Sequence, residues 1–126
     1  MRRILLAGFI GSMLLAAAAC GGGGGGGGSE QPAGSTKVTM TDYKFAPADL
    51  KVKPGKVEFF LVNTGGVSHD MVVLGPDGKS LGRSELVQPG NSSVFTISNL
   101  AAGTYQVVCD QPGHADLGMK GTLTAS

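Results

Sequence analysis

From Thr36 to the C-terminus the chain is a succession of short apolar runs cut by turn residues, and no stretch carries a helical repeat. Lys37 to Thr41 alternates, with Val38 and Met40 on one side, and Leu50 and Val52 alternate with lysines before Pro54-Gly55. Lys56 to Val62 is a more continuous apolar run, as expected for a strand covered on both faces. His69 to Leu74 follows, closed by Pro76-Asp77-Gly78, where proline presets one φ and glycine accepts a positive one. Ser93 to Ser98, Thr104 to Cys109 and Met119 to Ala125 complete the set. Strands at this spacing over about ninety residues predict an all-β fold, an antiparallel sandwich or barrel. Lys79 to Asn91 has no readable period and is expected to form an irregular loop or a short helical turn.

The 126 residues suffice for one packed domain, and the first nineteen stand apart from it. Arg2 and Arg3 precede an apolar run from Ile4 that ends in the small residues Ala16 to Ala19, the layout of a secretory signal peptide over residues 1–19. The run is short for a membrane span. Cys20 comes directly after it, which resembles a bacterial lipoprotein signal, with Ala17 where such signals usually carry an aliphatic residue. A plain cleaved signal with a leftover thiol is the alternative. Gly21 to Gly28 is unbroken glycine, followed by Ser29-Glu30-Gln31-Pro32-Ala33-Gly34-Ser35. Residues 20–35 are therefore read as a lipidated cysteine and a flexible tether, with an r.m.s. span of roughly 20 Å and a full reach of about 50 Å. Residues 36–126 are left as the folded domain. The expected location is the periplasm or the outer face of the cytoplasmic membrane, with membrane contact only through the N-terminal lipid.

Without Arg2 and Arg3, eight Lys+Arg remain against nine Asp+Glu, and the formal charge moves from +1 to −1. A balance this near neutral, with no basic stripe, gives no support for nucleic-acid binding. The composition also has only two cysteines. With Cys20 assigned to a lipid, Cys109 has no thiol partner inside the domain and needs another role.

The C-terminal segment supplies one. Cys109, His114 and Met119 fall within eleven residues, in Cys109-Asp110-Gln111-Pro112-Gly113-His114-Ala115-Asp116-Leu117-Gly118-Met119. A thiolate, an imidazole and a thioether on one loop are soft or borderline ligands that suit copper. The only other histidine, His69, opens a predicted strand. Alternation puts His69 in phase with Met71 and Val73, Cys109 with Val107 and Tyr105, and Met119 with Gly121 and Leu123, so each faces the predicted core. Taken singly, a buried Cys or Met is more often a core side chain than a ligand. The joint placement of all four favours a metal. Zinc in a structural role is a weaker alternative, since Cys and His suit it too.

With Ser68-His69-Asp70 upstream, then Tyr105-Gln106-Val107-Val108-Cys109 and the Pro112-Gly113-His114 loop ending at Met119, the domain resembles the cupredoxins, the small blue-copper proteins of the plastocyanin and azurin type. The gaps within the C-terminal loop are more like those of the longer-loop members. The resemblance implies an eight-stranded Greek-key sandwich holding one type 1 copper that passes between Cu(I) and Cu(II). It carries over His69, Cys109 and His114 as the ligands of a trigonal plane and Met119 as the weak axial ligand. Many members have Asn after the first histidine; Asp70 can accept hydrogen bonds from amides near Cys109 or Asp110 but cannot donate as an amide does. Asp70 is thus either a support for the ligand loops, together with Asp110, or a solvated carboxylate on the strand's outer edge.

The function implied is non-catalytic one-electron transfer by a monomer, through transient contacts with redox proteins of the envelope, a cytochrome or a membrane oxidoreductase. The His114 edge is the expected electron port, and Pro112, Ala115, Leu117 and Gly118 form the expected docking surface around it. Both histidines are committed to one ion, which leaves none for a second copper centre of the kind multicopper enzymes use. Copper storage or delivery with the same ligands is the alternative function.

Overall fold

The computed structural model describes residues 29–126. The leader of residues 1–19, Cys20 and the glycine run lie outside the described residues. Nine strands follow in order: β1 (Thr36–Thr41), β2 (Lys44–Ala46), β3 (Asp49–Val52), β4 (Gly55–Asn63), β5 (Val72–Leu74), β6 (Ser80–Arg83), β7 (Ser92–Leu100), β8 (Gly103–Val108) and β9 (Lys120–Ala125). They form two sheets, one ordered β2-β1-β4-β7 and the other β3-β9-β8-β5-β6. Among the described residues there is no helix.

The all-β sandwich is as expected, with two differences in detail. First, the count is nine rather than about eight. β2 and β6 are short edge strands made largely of polar or small residues (Lys44-Phe45-Ala46 and Ser80-Leu81-Gly82-Arg83), so neither carries an apolar alternation long enough to read. The second of them replaces the loop or helical turn expected at the start of Lys79 to Asn91. Secondly, β1 pairs parallel with β4, and β3 parallel with β9, while the other pairings are antiparallel. Each parallel pair is joined through intervening strands rather than a hairpin, so no tight turn forces the partners to run in opposite senses.

The inner faces of the two sheets make one core. Val38 and Met40 of β1, Val57, Phe59 and Leu61 of β4, and Phe95 and Ile97 of β7 face Leu50, Val73, Tyr105, Val107 and Leu123 of the other sheet. Alternation is clean on β7, where Phe95 and Ile97 are buried while Val94, Thr96 and Ser98 are exposed. Phe59 and Phe95 stack with ring centroids 5.8 Å apart. Each fully buried side chain of this size contributes about 1.5–3 kcal/mol through apolar area removed from water. At the start of the described region the Ser29 amide donates to Ser92 Oγ at 2.8 Å, and Ser35 N–H closes a turn on Pro32 O at 3.1 Å. Of the residues grouped with the tether, Ser29 thus bonds β7 and Ser35 closes a local turn.

Candidate metal centre

Sheet register brings three segments to one end of the sandwich. Val72 of β5 stands opposite Val108 of β8, and Val108 opposite Lys120 of β9. The residues just past these pairs, His69 to Met71, Cys109 and Met119, consequently meet at that end. Cys109 donates its backbone N–H to Met119 O, and Met119 donates to His114 O, both at 3.0 Å. His114 N–H in turn bonds Gln111 O at 3.0 Å. The loop is thus folded back on itself, with its sulfur and imidazole residues on one side.

His69 reaches the same place from the other ligand segment. It lies three residues before β5 and is held by a two-way backbone exchange with Val87, at 3.1 and 2.8 Å. Asn63, fully buried at the end of β4, fixes the approach: its Nδ2 donates to Val67 O and Val87 O, each at 2.8 Å, and its Oδ1 accepts from Gly65 N–H at 2.9 Å. An amide with all these bonds made is stable in the core, whereas an unpartnered one would cost roughly 1–3 kcal/mol.

The donor atoms converge. His69 Nδ1 and His114 Nδ1 are 3.2 Å apart, and Cys109 Sγ lies 3.4 Å from His114 Nδ1 and 4.0 Å from His69 Nδ1. A circle through three points at those separations has a radius of about 2.1 Å, within the roughly 2.0–2.3 Å of nitrogen and sulfur bonds to zinc, an ion of similar size. One ion at its centre would reach all three atoms without moving a side chain. His69, Cys109 and Met119 are buried and His114 is half-buried, so the donors are shielded on all but the His114 side. Tyr43 lies edge-on to the His114 ring at 4.8 Å between centroids. Burial pushes the Cys109 thiol above its ordinary range, against the opposing pull of the Asp70 and Gln111 amides. Taking up a metal here must therefore displace a proton from sulfur.

Asp70 is buried and tied to the second ligand loop. Its Oδ1 accepts from the Asp110 amide at 2.7 Å, its Oδ2 from Gln111 Nε2 at 3.3 Å, and the Arg83 guanidinium lies 3.7 Å away. Of the two readings open from sequence, the solvated edge carboxylate is not what the structure has. Asp110 behaves differently: its backbone serves Asp70, while its half-exposed carboxylate turns outward and pairs with Arg83. Around the His114 opening, Leu117 is 64% exposed, and Pro112 and Gly118 are exposed while Ala115 is half-buried.

Several contributors escape sequence reading. Arg83 bridges Asp70 and Asp110 from β6, the strand that the alternation does not reveal. Asp42, in the turn between β1 and β2, bonds the far nitrogen of His69, Nε2, at 2.9 Å. Its carboxyl is held below the ordinary range, first by the Gly66 amide and then by the His69 ring. Nothing local in the sequence marks Asp42, because its partners come from another part of the chain.

Comparison with known proteins gives the same architecture. The family model for the cupredoxin-like domain matches residues 5–125. The methylamine utilization protein MauL of Methylophilus methylotrophus is 28% identical over 81 residues, 64% of this chain and 45% of that protein. The chain thus spans about half the length of this curated relative. Among solved structures, auracyanin B superposes with a TM-score of 0.68 at 27% identity, over 78% of this chain and 92% of its own. Auracyanin A, described as a "blue" copper protein from the green thermophilic photosynthetic bacterium Chloroflexus aurantiacus, gives a TM-score of 0.61 at 22% identity, over 74% and 100%.

Proposed function

This chain belongs to the cupredoxin-like domain family, and from that premise we propose that it is a mononuclear type 1 copper protein carrying single electrons at the cell envelope. The observation that carries the reading is the convergence of two imidazole nitrogens and one cysteine sulfur on a point about 2.1 Å from each, a ligand distance for a first-row ion. Copper held there supplies a Cu(I)/Cu(II) couple suited to one-electron exchange. In this reading His69, His114 and Cys109 would hold the ion, and Met119, buried where the loop joins β9, would add a weaker thioether donor. A sandwich that held these buried side chains in place would keep the reorganisation between oxidation states small. His114 gives the centre its route to the surface.

The reading is tested by adding Cu(II) to the purified metal-free protein. One equivalent should produce an intense visible band and then saturate. A colourless product, or only a weak band growing past one equivalent, would contradict it.

Two further expectations arise from the same reading. Asp70→Asn keeps copper but raises the reduction potential, because the more highly charged oxidation state loses a buried anion that favours it; voltammetry reads the shift, and an unchanged potential removes Asp70 from the metal's surroundings. Leu117→Asp leaves the colour intact and slows electron self-exchange about tenfold, since two copies must then bring like charges together at the docking patch. NMR line broadening of mixed oxidation states measures that rate, and an unaffected rate places docking elsewhere.

We assign the partners to the same class as before: envelope redox proteins, a cytochrome or a membrane oxidoreductase, met transiently at Pro112, Ala115, Leu117 and Gly118 around His114. Export through residues 1–19 and a lipid on Cys20 complete the proposal. Mass spectrometry of the mature protein tests the last point, with an unmodified Cys20 as the contrary outcome.

A further inference from the structure

A histidine ligand must present a bare lone pair, and something must keep the proton on its other nitrogen. His69 is completely buried, yet its Nε2 is not left to the apolar core: it meets Asp42 Oδ1 at 2.9 Å. An ionised carboxylate can only accept, so Nε2 carries a hydrogen, and in the neutral ring Nδ1, the atom facing Cys109 and His114, then holds the lone pair. The carboxylate is itself fixed by more than one bond. Asp42 Oδ2 accepts from the Gly66 amide at 2.9 Å, and Oδ1 is 3.4 Å from the Val67 amide. Space for it is built into the backbone. A Cβ placed on Gly65 would overlap Asp42 Oδ1, and one on Gly66 would crowd Oδ2 at 3.2 Å. Gly65 thus admits the Asp42 carboxylate into a gap that a side chain there would close, while Gly66 leaves it room on the other oxygen. About a third of the Asp42 side chain remains exposed, so it caps a buried ring at the solvent boundary.

We infer that Asp42 is a positioning residue for His69: it selects the Nε2–H tautomer, fixes the ring's rotation so that Nδ1 faces Cys109 Sγ and His114 Nδ1, and sets a negative charge one ring away from the metal position. The redox consequence rests on the copper reading above; the tautomer and ring orientation do not. An anion behind an imidazole makes that imidazole a better donor and favours the more highly charged oxidation state. The same bonds join the β1–β2 turn, the Gly65-Gly66-Val67 loop and the ligand, so one carboxylate couples three segments.

The test uses the full chain and three variants, Asp42→Asn, Asp42→Ala and Gly65→Ala, with thermal unfolding of each as the check on folding. Ring nitrogen signals of His69 are read by NMR in the metal-free protein. The unsubstituted chain should show the Nε2–H form alone. Asp42→Asn, which keeps an acceptor oxygen, should retain it, whereas Asp42→Ala and Gly65→Ala should show a mixture of tautomers. In the copper-loaded proteins, both Asp42 variants should bind Cu(II) about tenfold more weakly relative to Cu(I), which is a rise of about 59 mV in reduction potential for one electron. A purely structural Asp42 would alter unfolding without moving the potential. Unchanged nitrogen signals in Asp42→Ala, or a potential unmoved in both Asp42 variants, would overturn the assignment. Failure of the unsubstituted chain to take up copper would defeat the copper reading instead, because the nitrogen signals are read without metal.

Discussion

Cys109→Ser removes the visible band altogether and weakens copper binding on the order of 100-fold or more, while the metal-free protein stays folded. The reason lies in one atom. Cys109 Sγ is the only sulfur among the three convergent donors, 3.4 and 4.0 Å from the two ring nitrogens. A serine hydroxyl fills almost the same space but stays protonated at neutral pH and is a hard donor. With the thiolate goes the covalent path for the electron and the charge-transfer colour. Titration with Cu(II) followed by absorption measures both losses at once. A serine variant that still turned intensely coloured would assign the band to other ligands.

Gly121→Ala is expected to have the largest effect on the fold itself, a loss of about 2–4 kcal/mol. Gly121 lies on β9, two residues after Met119, and its α-carbon hydrogen faces the start of β3. A Cβ there would overlap the carbonyl oxygen of Ala48 and come within 3.1 Å of its carbon. That carbonyl also accepts from Thr122 N–H at 2.8 Å, so relieving the clash breaks a bond that ties β3 to β9. Backbone cannot swing aside as a flexible side chain could. For a domain of this size the loss is a drop of about 10–20 °C in melting temperature, read by calorimetry of the metal-free protein. A change of less than a few degrees would show that the β3–β9 contact yields easily. Because β9 begins directly after Met119, the same variant should broaden the copper spectrum.

What could be read from the sequence follows from how local each signal is. The donor set was legible because its residue types are rare: two histidines in the whole chain, and one cysteine in residues 36–126. Alternation predicts His69, Cys109 and Met119 on the inward faces of strands; they are buried, but lie just outside β5, β8 and β9, and around His69 every residue from 69 to 73 is buried. Pairing direction was less legible. The parallel β1–β4 and β3–β9 pairs join strands distant in sequence, and nothing in either strand encodes the sense of its partner. β2 and β6 escaped because edge strands need only one covered face and little apolar content.

The supporting residues were the least legible, for a related reason. Asp42, Asn63 and Arg83 act through hydrogen bonds and ion pairs across the fold, and a polar residue in a turn or on an edge strand looks the same whether or not it has such a partner. Asp70 was the intermediate case. Its neighbour His69 drew attention to it, but only the Asp110 amide and Arg83 decide between a buried support and a solvated edge. The glycines at 65 and 121 illustrate the same limit, since each is required by an atom far away in the chain, Asp42 Oδ1 in one case and Ala48 O in the other.

The most direct measurement is a crystal structure of the copper-loaded protein, with anomalous scattering at the copper edge to locate the ion. A single copper is expected within about 2.3 Å of His69 Nδ1, His114 Nδ1 and Cys109 Sγ, with the Met119 sulfur farther off along the axis. Copper bound mainly by oxygen ligands elsewhere on the surface, or a His69 ring rotated away from Cys109 when the metal is present, would contradict it.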